Sequence, residues 1–122
     1  MHPRLVHHQT HLQKADPEIR IHHIECLPPS STTYILGTVL LIHGFPETSY
    51  QFRKVIPSLA SAGYRVLAPD YRGAGYSSKP PSGYTKKEIA TDLHTLVTKH
   101  LGIKEKVHVV GHDIGGYVIS ET

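Results

Sequence analysis

The residues best suited to chemistry stand near the end of the chain. Val107, His108, Val109 and Val110 form a short, mainly β-branched run. Gly111-His112-Asp113-Ile114-Gly115-Gly116 follows, and a helical stretch starts behind it. This is a strand–turn–helix frame of the type Gly-x-nucleophile-x-Gly, with Asp113 at the nucleophile position. A residue on so sharp a turn tends toward positive φ, and its neighbours must tolerate that strain. Gly111 and Gly115 flank it without Cβ atoms, so strand and helix can pass close together. The Asp113 carboxylate is expected at the carboxyl end of the strand, over a helix start whose N–H groups favour negative charge. A Gly-Asp turn without chemistry would carry the same signature.

A second set of residues occurs earlier. Thr38 to Ile42 is a continuous apolar run, and His43-Gly44-Phe45-Pro46 follows it. An all-apolar strand belongs in a parallel sheet covered on both faces. Loops at the carboxyl edge of such a sheet build its sites. A plain Gly-Pro turn is the alternative for these four residues. The Gly-rich loop Asp70 to Ser78 lacks the spacing of a phosphate cradle. Asp70 and Arg72 are expected to hold that loop by hydrogen bonds or an ion pair.

The elements that must position these groups can be read in order. Residues 4–12 and 18–25 look like strands, with a turn at 14–17. The alternation of Ile19 and Ile21 with Glu18 and Arg20 breaks at His22-His23. Phe52, Val55, Ile56, Leu59 and Ala60 have helical spacing. Pro57 should split this segment or sit in the first turn of its second half, and Gly63 ends it. Residues 64–68 read as a strand. Thr85 to Glu88 forms a capping box, and a helix runs from it to about Leu101. Its apolar face takes in Ile89, Leu93, Leu96, Val97, His100 and Leu101, with His100 packed. Gly102 ends it. Strands alternating with helices after residue 38 imply parallel strands with right-handed crossovers.

Composition removes several function classes. The chain has 122 residues, enough for one domain at most. Its 13 basic and 10 acidic residues are dispersed, so no nucleic-acid partner is expected. No apolar run reaches a membrane span or a secretory signal, so no membrane partner is expected. The single cysteine excludes an internal disulfide and fits a reducing, cytoplasmic setting. The 11 histidines raise the question of a metal. His7 and His11 would lie about 13 Å apart along one strand, and His22 and His23 would face opposite ways. No Cys/His spacing matches a zinc site, so neither metal nor other cofactor is expected.

HGFPETSYQFRKVIPSLASAGYRVLAPDYRGAGYSS followed by VVGHDIGGYV resembles the N-terminal half of an α/β-hydrolase. Within that fold it is most similar to soluble epoxide hydrolases, whose turn carries Asp rather than Ser. The resemblance covers residues 36–122, and residues 1–35 fit the opening strands loosely. It implies a mostly parallel sheet of about five strands with crossover helices, a partial catalytic domain over residues 1–122, and no lid or C-terminal half. It implies Asp113 as nucleophile, and the backbone N–H groups of Phe45 and Ile114 as oxyanion hole. His43, Gly44, Pro46, Gly111, His112, Gly115 and Gly116 would shape the site, with Phe45–Pro46 in the cis form.

The implied substrate is a small epoxide or another alkyl electrophile, and the reaction is two-step covalent catalysis. Haloalkane or haloacid dehalogenase chemistry is the alternative. Dehalogenases of these types place Trp or Arg after the nucleophile, where Ile114 stands. The family's base histidine, acidic partner and lid all follow the turn, whereas the sequence stops at Thr122. An inactive fragment is therefore expected. A non-catalytic half-domain that pairs with another chain, or with itself through an open sheet edge, is the reading from a different class.

Overall fold

The computed structural model describes residues 4–29, 34–44 and 47–111. Five strands form one sheet in the order β1-β2-β4-β3-β5. They are β1 (Leu5–Gln13), β2 (Ile19–Cys26), β3 (Gly37–Ile42), β4 (Tyr64–Pro69) and β5 (Val107–Gly111). β4, β3 and β5 are parallel, as their connections through helices require. β1 and β2 form an antiparallel hairpin, and β2 also joins β4 antiparallel. The sheet is thus a parallel block with an antiparallel wing. Among the described residues β5 has one neighbour, β3.

The two sheet faces carry separate cores. On one face Ile24, Cys26, Val39, Leu41, Val66 and Ala68 pack against Ile56 and Ala60 of α1 (Val55–Ser61). On the other, Leu40, Ile42 and Leu67 meet Ile89, Leu93 and Val97 along α2 (Lys86–Thr95) and its continuation. The apolar run of β3 supplies both, which explains why it does not alternate. A 3₁₀ turn, Ser49–Phe52, precedes α1, and Pro57 sits in the first turn of α1, where no helix donor is lost. Gly63 follows at φ 109°, a C′ position that suits only a residue without Cβ.

α2 begins as the sequence predicts. The Thr85 side chain accepts from the Glu88 N–H at 3.1 Å and donates to the Glu88 carboxylate. It ends differently. After Thr95 the helix widens into a π turn, Leu96–His100, closed by Leu101 N–H to Leu96 C=O at 2.9 Å. A π turn inserts one residue and rotates everything after it. His100, expected on the packed face, is exposed, whereas Leu101, expected on the same face, packs against the core.

The loop after β4 is clamped to α2. Arg72 donates to both carboxylate oxygens of Asp92, at 2.6 and 2.8 Å, and to the Gly83 carbonyl at 2.9 Å. Both side chains are about nine-tenths buried, with 11% and 9% of their surface exposed. A two-pronged guanidinium–carboxylate pair is among the stronger polar contacts, and removing one partner strands the other charge. Asp92→Asn is expected to lower stability by about 3 kcal/mol. The check is urea denaturation, which should show a lower midpoint at an unchanged slope.

Candidate functional site

The three parallel strands end at one edge of the sheet. Ile42 stands opposite Gly111 in the β3–β5 register, and β4 ends at Pro69. Three segments therefore start side by side: His43-Gly44 after β3, Asp70 after β4, and the chain beyond Gly111 after β5. This is the edge at which an α/β sheet gathers its functional loops.

Of the residues singled out in the sequence, His43, Gly44 and Gly111 are described, and all three lie at this edge. Phe45, Pro46, His112, Asp113, Ile114, Gly115 and Gly116 lie outside the described residues, as does the Phe45–Pro46 bond.

His43 is fully buried. Its Nε2 accepts from the Tyr71 N–H at 3.4 Å, which leaves the proton on Nδ1, facing the Gly44 carbonyl at 3.1 Å. The ring stacks on Tyr71 with centroids 4.0 Å apart. Burial pushes its pKa down, although the Gly44 carbonyl and the Asp70 and Glu47 charges oppose this. His43 is thus a neutral strut that ties the β3 loop to the β4 loop. Both ring nitrogens are engaged, so it has no free position for activating water.

Asp70 is the second anchor, with 1% of its surface exposed. Oδ1 accepts from the Ser49 N–H at 2.6 Å. Oδ2 accepts from the Tyr76 N–H at 3.1 Å and lies 2.7 Å from His22 Nδ1. Burial pushes the carboxyl pKa up, but these donors outweigh it and the pKa ends below the ordinary carboxylate value. Gly75 passes so close that a Cβ there would fall 2.3 Å from Asp70 Oδ2, and its φ is +51°. His22 in turn reaches exposed His7, Nε2 to Nδ1, at 2.9 Å. A cleft of about 360 Å³ opens beside His7, His22, Ser49, Asp70 and Tyr76.

The sequence marks Asp70 as a loop anchor but does not reveal His22 and Ser49 as its partners. The break in alternation at His22-His23 is the one trace of them. His22 faces the α1 side to meet Asp70, so a polar residue occupies what would otherwise be an apolar position.

The chain belongs to the α/β hydrolase fold family, whose sequence model matches residues 37–121. Its similarity is to epoxide hydrolases in particular. It is 50% identical over 80 residues to the soluble epoxide hydrolase of Corynebacterium sp. (strain C12), a match covering 66% of this chain and 27% of that protein. It is 39% identical over 108 residues to bifunctional epoxide hydrolase 2 of Sus scrofa, covering 84% of this chain and 17% of that protein. The ligand-free structure of the epoxide hydrolase CorEH superposes with a TM-score of 0.79 at 36% identity, over 97% of this chain and 37% of that one. The chain therefore spans about a quarter of the length of the first curated relatives it matches. No helix among the described residues is long and apolar enough to cross a membrane.

The two anchors make stability depend on pH in a defined sense. The folded state keeps His43 neutral, whereas an unfolded histidine takes a proton below about pH 6.5. Stability is therefore present above that value and falls as the pH drops below it. Asp70 adds a second loss, starting near pH 4 and completed as the pH passes its lower folded value. His43→Phe should lessen the first limb, to which buried His23 also contributes, and Asp70→Asn should lessen the second. Urea midpoints measured between pH 3 and pH 8 check both; superimposable slopes for wild type and variants would refute the assignment.

Proposed function

We propose that this chain is the nucleophile-bearing part of a hydrolase that opens epoxides through a covalent ester on Asp113. The observation that carries the reading is positional. Asp113 follows Gly111 by two residues and Phe45 follows Ile42 by three, and Ile42 and Gly111 are register partners at the ends of adjacent parallel strands. The two strands that lead into these motifs thus end side by side at one sheet edge. The likeness to epoxide hydrolases supports the same chemistry.

The steps follow from the groups. A carboxylate oxygen of Asp113 attacks an epoxide carbon, the ring C–O bond breaks, and the alkoxide takes a proton from solvent water. The product is an alkyl ester of Asp113. Water then attacks the ester carbonyl, and the resulting oxyanion faces the Phe45 and Ile114 N–H groups. Collapse releases a diol and restores the carboxylate. A carboxylate nucleophile suits an alkyl electrophile, whereas esters and amides call for an alkoxide. Ile114 after the nucleophile offers no side-chain donor to a departing halide, which favours an epoxide over a carbon–halogen bond.

Residues 36–122 form the catalytic core of this reading, with residues 1–35 as its opening strands. His43 is engaged at both ring nitrogens, so it is no base for the nucleophile that these 122 residues carry. They are expected to be alkylated once and not to turn over. The purified chain treated with an excess of a terminal epoxide should gain the mass of one epoxide on the peptide containing Asp113. Asp113→Asn should gain none there. An adduct confined to other residues would refute the nucleophile assignment, and sustained diol production would refute the lack of turnover.

A second reading rests on β5. Val109 and Val110 are exposed, and among the described residues only β3 pairs with this strand. The free side of β5 then suits another strand, from a second chain or a second copy.

A further inference from the structure

The hairpin of β1 and β2 sets three metal-ligand side chains together, far in sequence from the proposed nucleophile. His8 and His23 are directly opposite in the antiparallel register. Their rings stack with centroids 4.8 Å apart. Glu25 lies two residues beyond His23 on the same strand, hence on the same face. One ligand atom from each of the three falls within 4.8 Å of the others. Within a strand, histidine spacing argues against a metal. Only pairing between strands creates this group.

The cluster has an unmet need. His23 is 1% exposed, and neither of its ring nitrogens has a hydrogen-bond partner among the described residues. A buried polar atom without a partner is costly and calls for an explanation. The Nε2 of His8 is also buried and makes no hydrogen bond, although it pairs with Glu25 Oε1 at 3.2 Å. The second oxygen of Glu25 accepts from Arg65 Nε at 2.6 Å. Arg65 therefore fixes the carboxylate and leaves Oε1 turned toward the two imidazoles, as an outer partner orients a ligand.

We propose that His8, His23 and Glu25 bind a divalent transition-metal ion of the zinc type, which clips the edge strand β1 to β2. Two imidazoles and one carboxylate make a donor set suited to zinc or cobalt, with one position left for water. Tetrahedral bonds of about 2.0–2.1 Å bring ligand atoms to roughly 3.4 Å from one another, a short side-chain adjustment from the present spacing. Burial pushes the His23 pKa down to about 4, with neighbouring His8 adding to the effect, so the ring is neutral at pH 7, the state a ligand needs. The His8 side chain is 41% exposed, so the cluster has an entrance from solvent.

The test uses the whole 122-residue chain and cobalt(II) alone. Titration at pH 7 should give one ion per chain with the visible absorption of low-coordinate cobalt, and zinc should displace it. His8→Gln, on the edge strand, and Glu25→Gln should each weaken binding at least ~tenfold, more than loss of an outer partner typically does at its mildest. His23→Gln should do the same, with far-ultraviolet circular dichroism confirming its fold. His11→Gln serves as the control, because His11 points to Glu18 at 2.8 Å and belongs to no such cluster among the described residues. It should bind as wild type does. Absent absorption, or equal binding by wild type and all the variants, would overturn the proposal.

Discussion

One buried carboxylate organises this fold. Asp70 leaves the end of β4 and ties down two segments distant in sequence, His22 on β2 and Ser49 before α1, together with Tyr76 in its own loop. A desolvated charge is tolerable only when its acceptor sites are filled. Here two backbone N–H groups and one imidazole fill them. The loop from Asp70 to Ser78 takes its path from this demand. Ser77 and Ser78 then bond the backbone of His22 and Arg20, extending β2 beyond its pairing with β4. Arg72 carries the same loop across to Asp92 on α2. The antiparallel wing, the 3₁₀ turn before α1 and the helix on the opposite face thus share one electrostatic centre.

His43 extends that logic to β3. Its position before Gly-Phe-Pro at a strand end suggests a site residue, and it does stand at the edge where a site would form. Its ring, however, works as a spacer between two loops. It presents an acceptor to the Tyr71 amide and a proton to the Gly44 carbonyl. A neutral ring at that position keeps the loop geometry independent of charge near neutral pH.

Much of the architecture is legible in the sequence because local chemistry sets it. The apolar run of β3, the Thr85 cap, Pro57 in the first turn of α1 and Gly63 just past its end each act through a few neighbouring residues. The fold class follows from strands alternating with helices. What the sequence hides depends on pairing or on packing at a distance. The register that sets His8 beside His23 is a property of two strands and cannot be read from either. The partners of Asp70 come from segments 48 and 21 residues away. The π turn is invisible to a regular 3.6-residue wheel, which places His100 inside alongside Leu101. The candidate site residues at 45–46 and 112–116 are the converse case. Their types and spacing speak clearly in the sequence, whereas the described structure supplies only the strand ends that precede them.

The strand order also bears on how the chain assembles. Gln13 meets Ile19 across a tight connection, whereas Thr38 meets Val107 only after 68 residues of intervening chain. Closing the longer loop costs more entropy before any contact rewards it, and parallel pairing offers no short route. During synthesis from the N-terminus, the hairpin and the β3–β4 pair are available first. β3 therefore emerges with one flank bare and strongly apolar until β5 leaves the ribosome, so the delay between these two strands is when the nascent chain is most exposed to wrong partners.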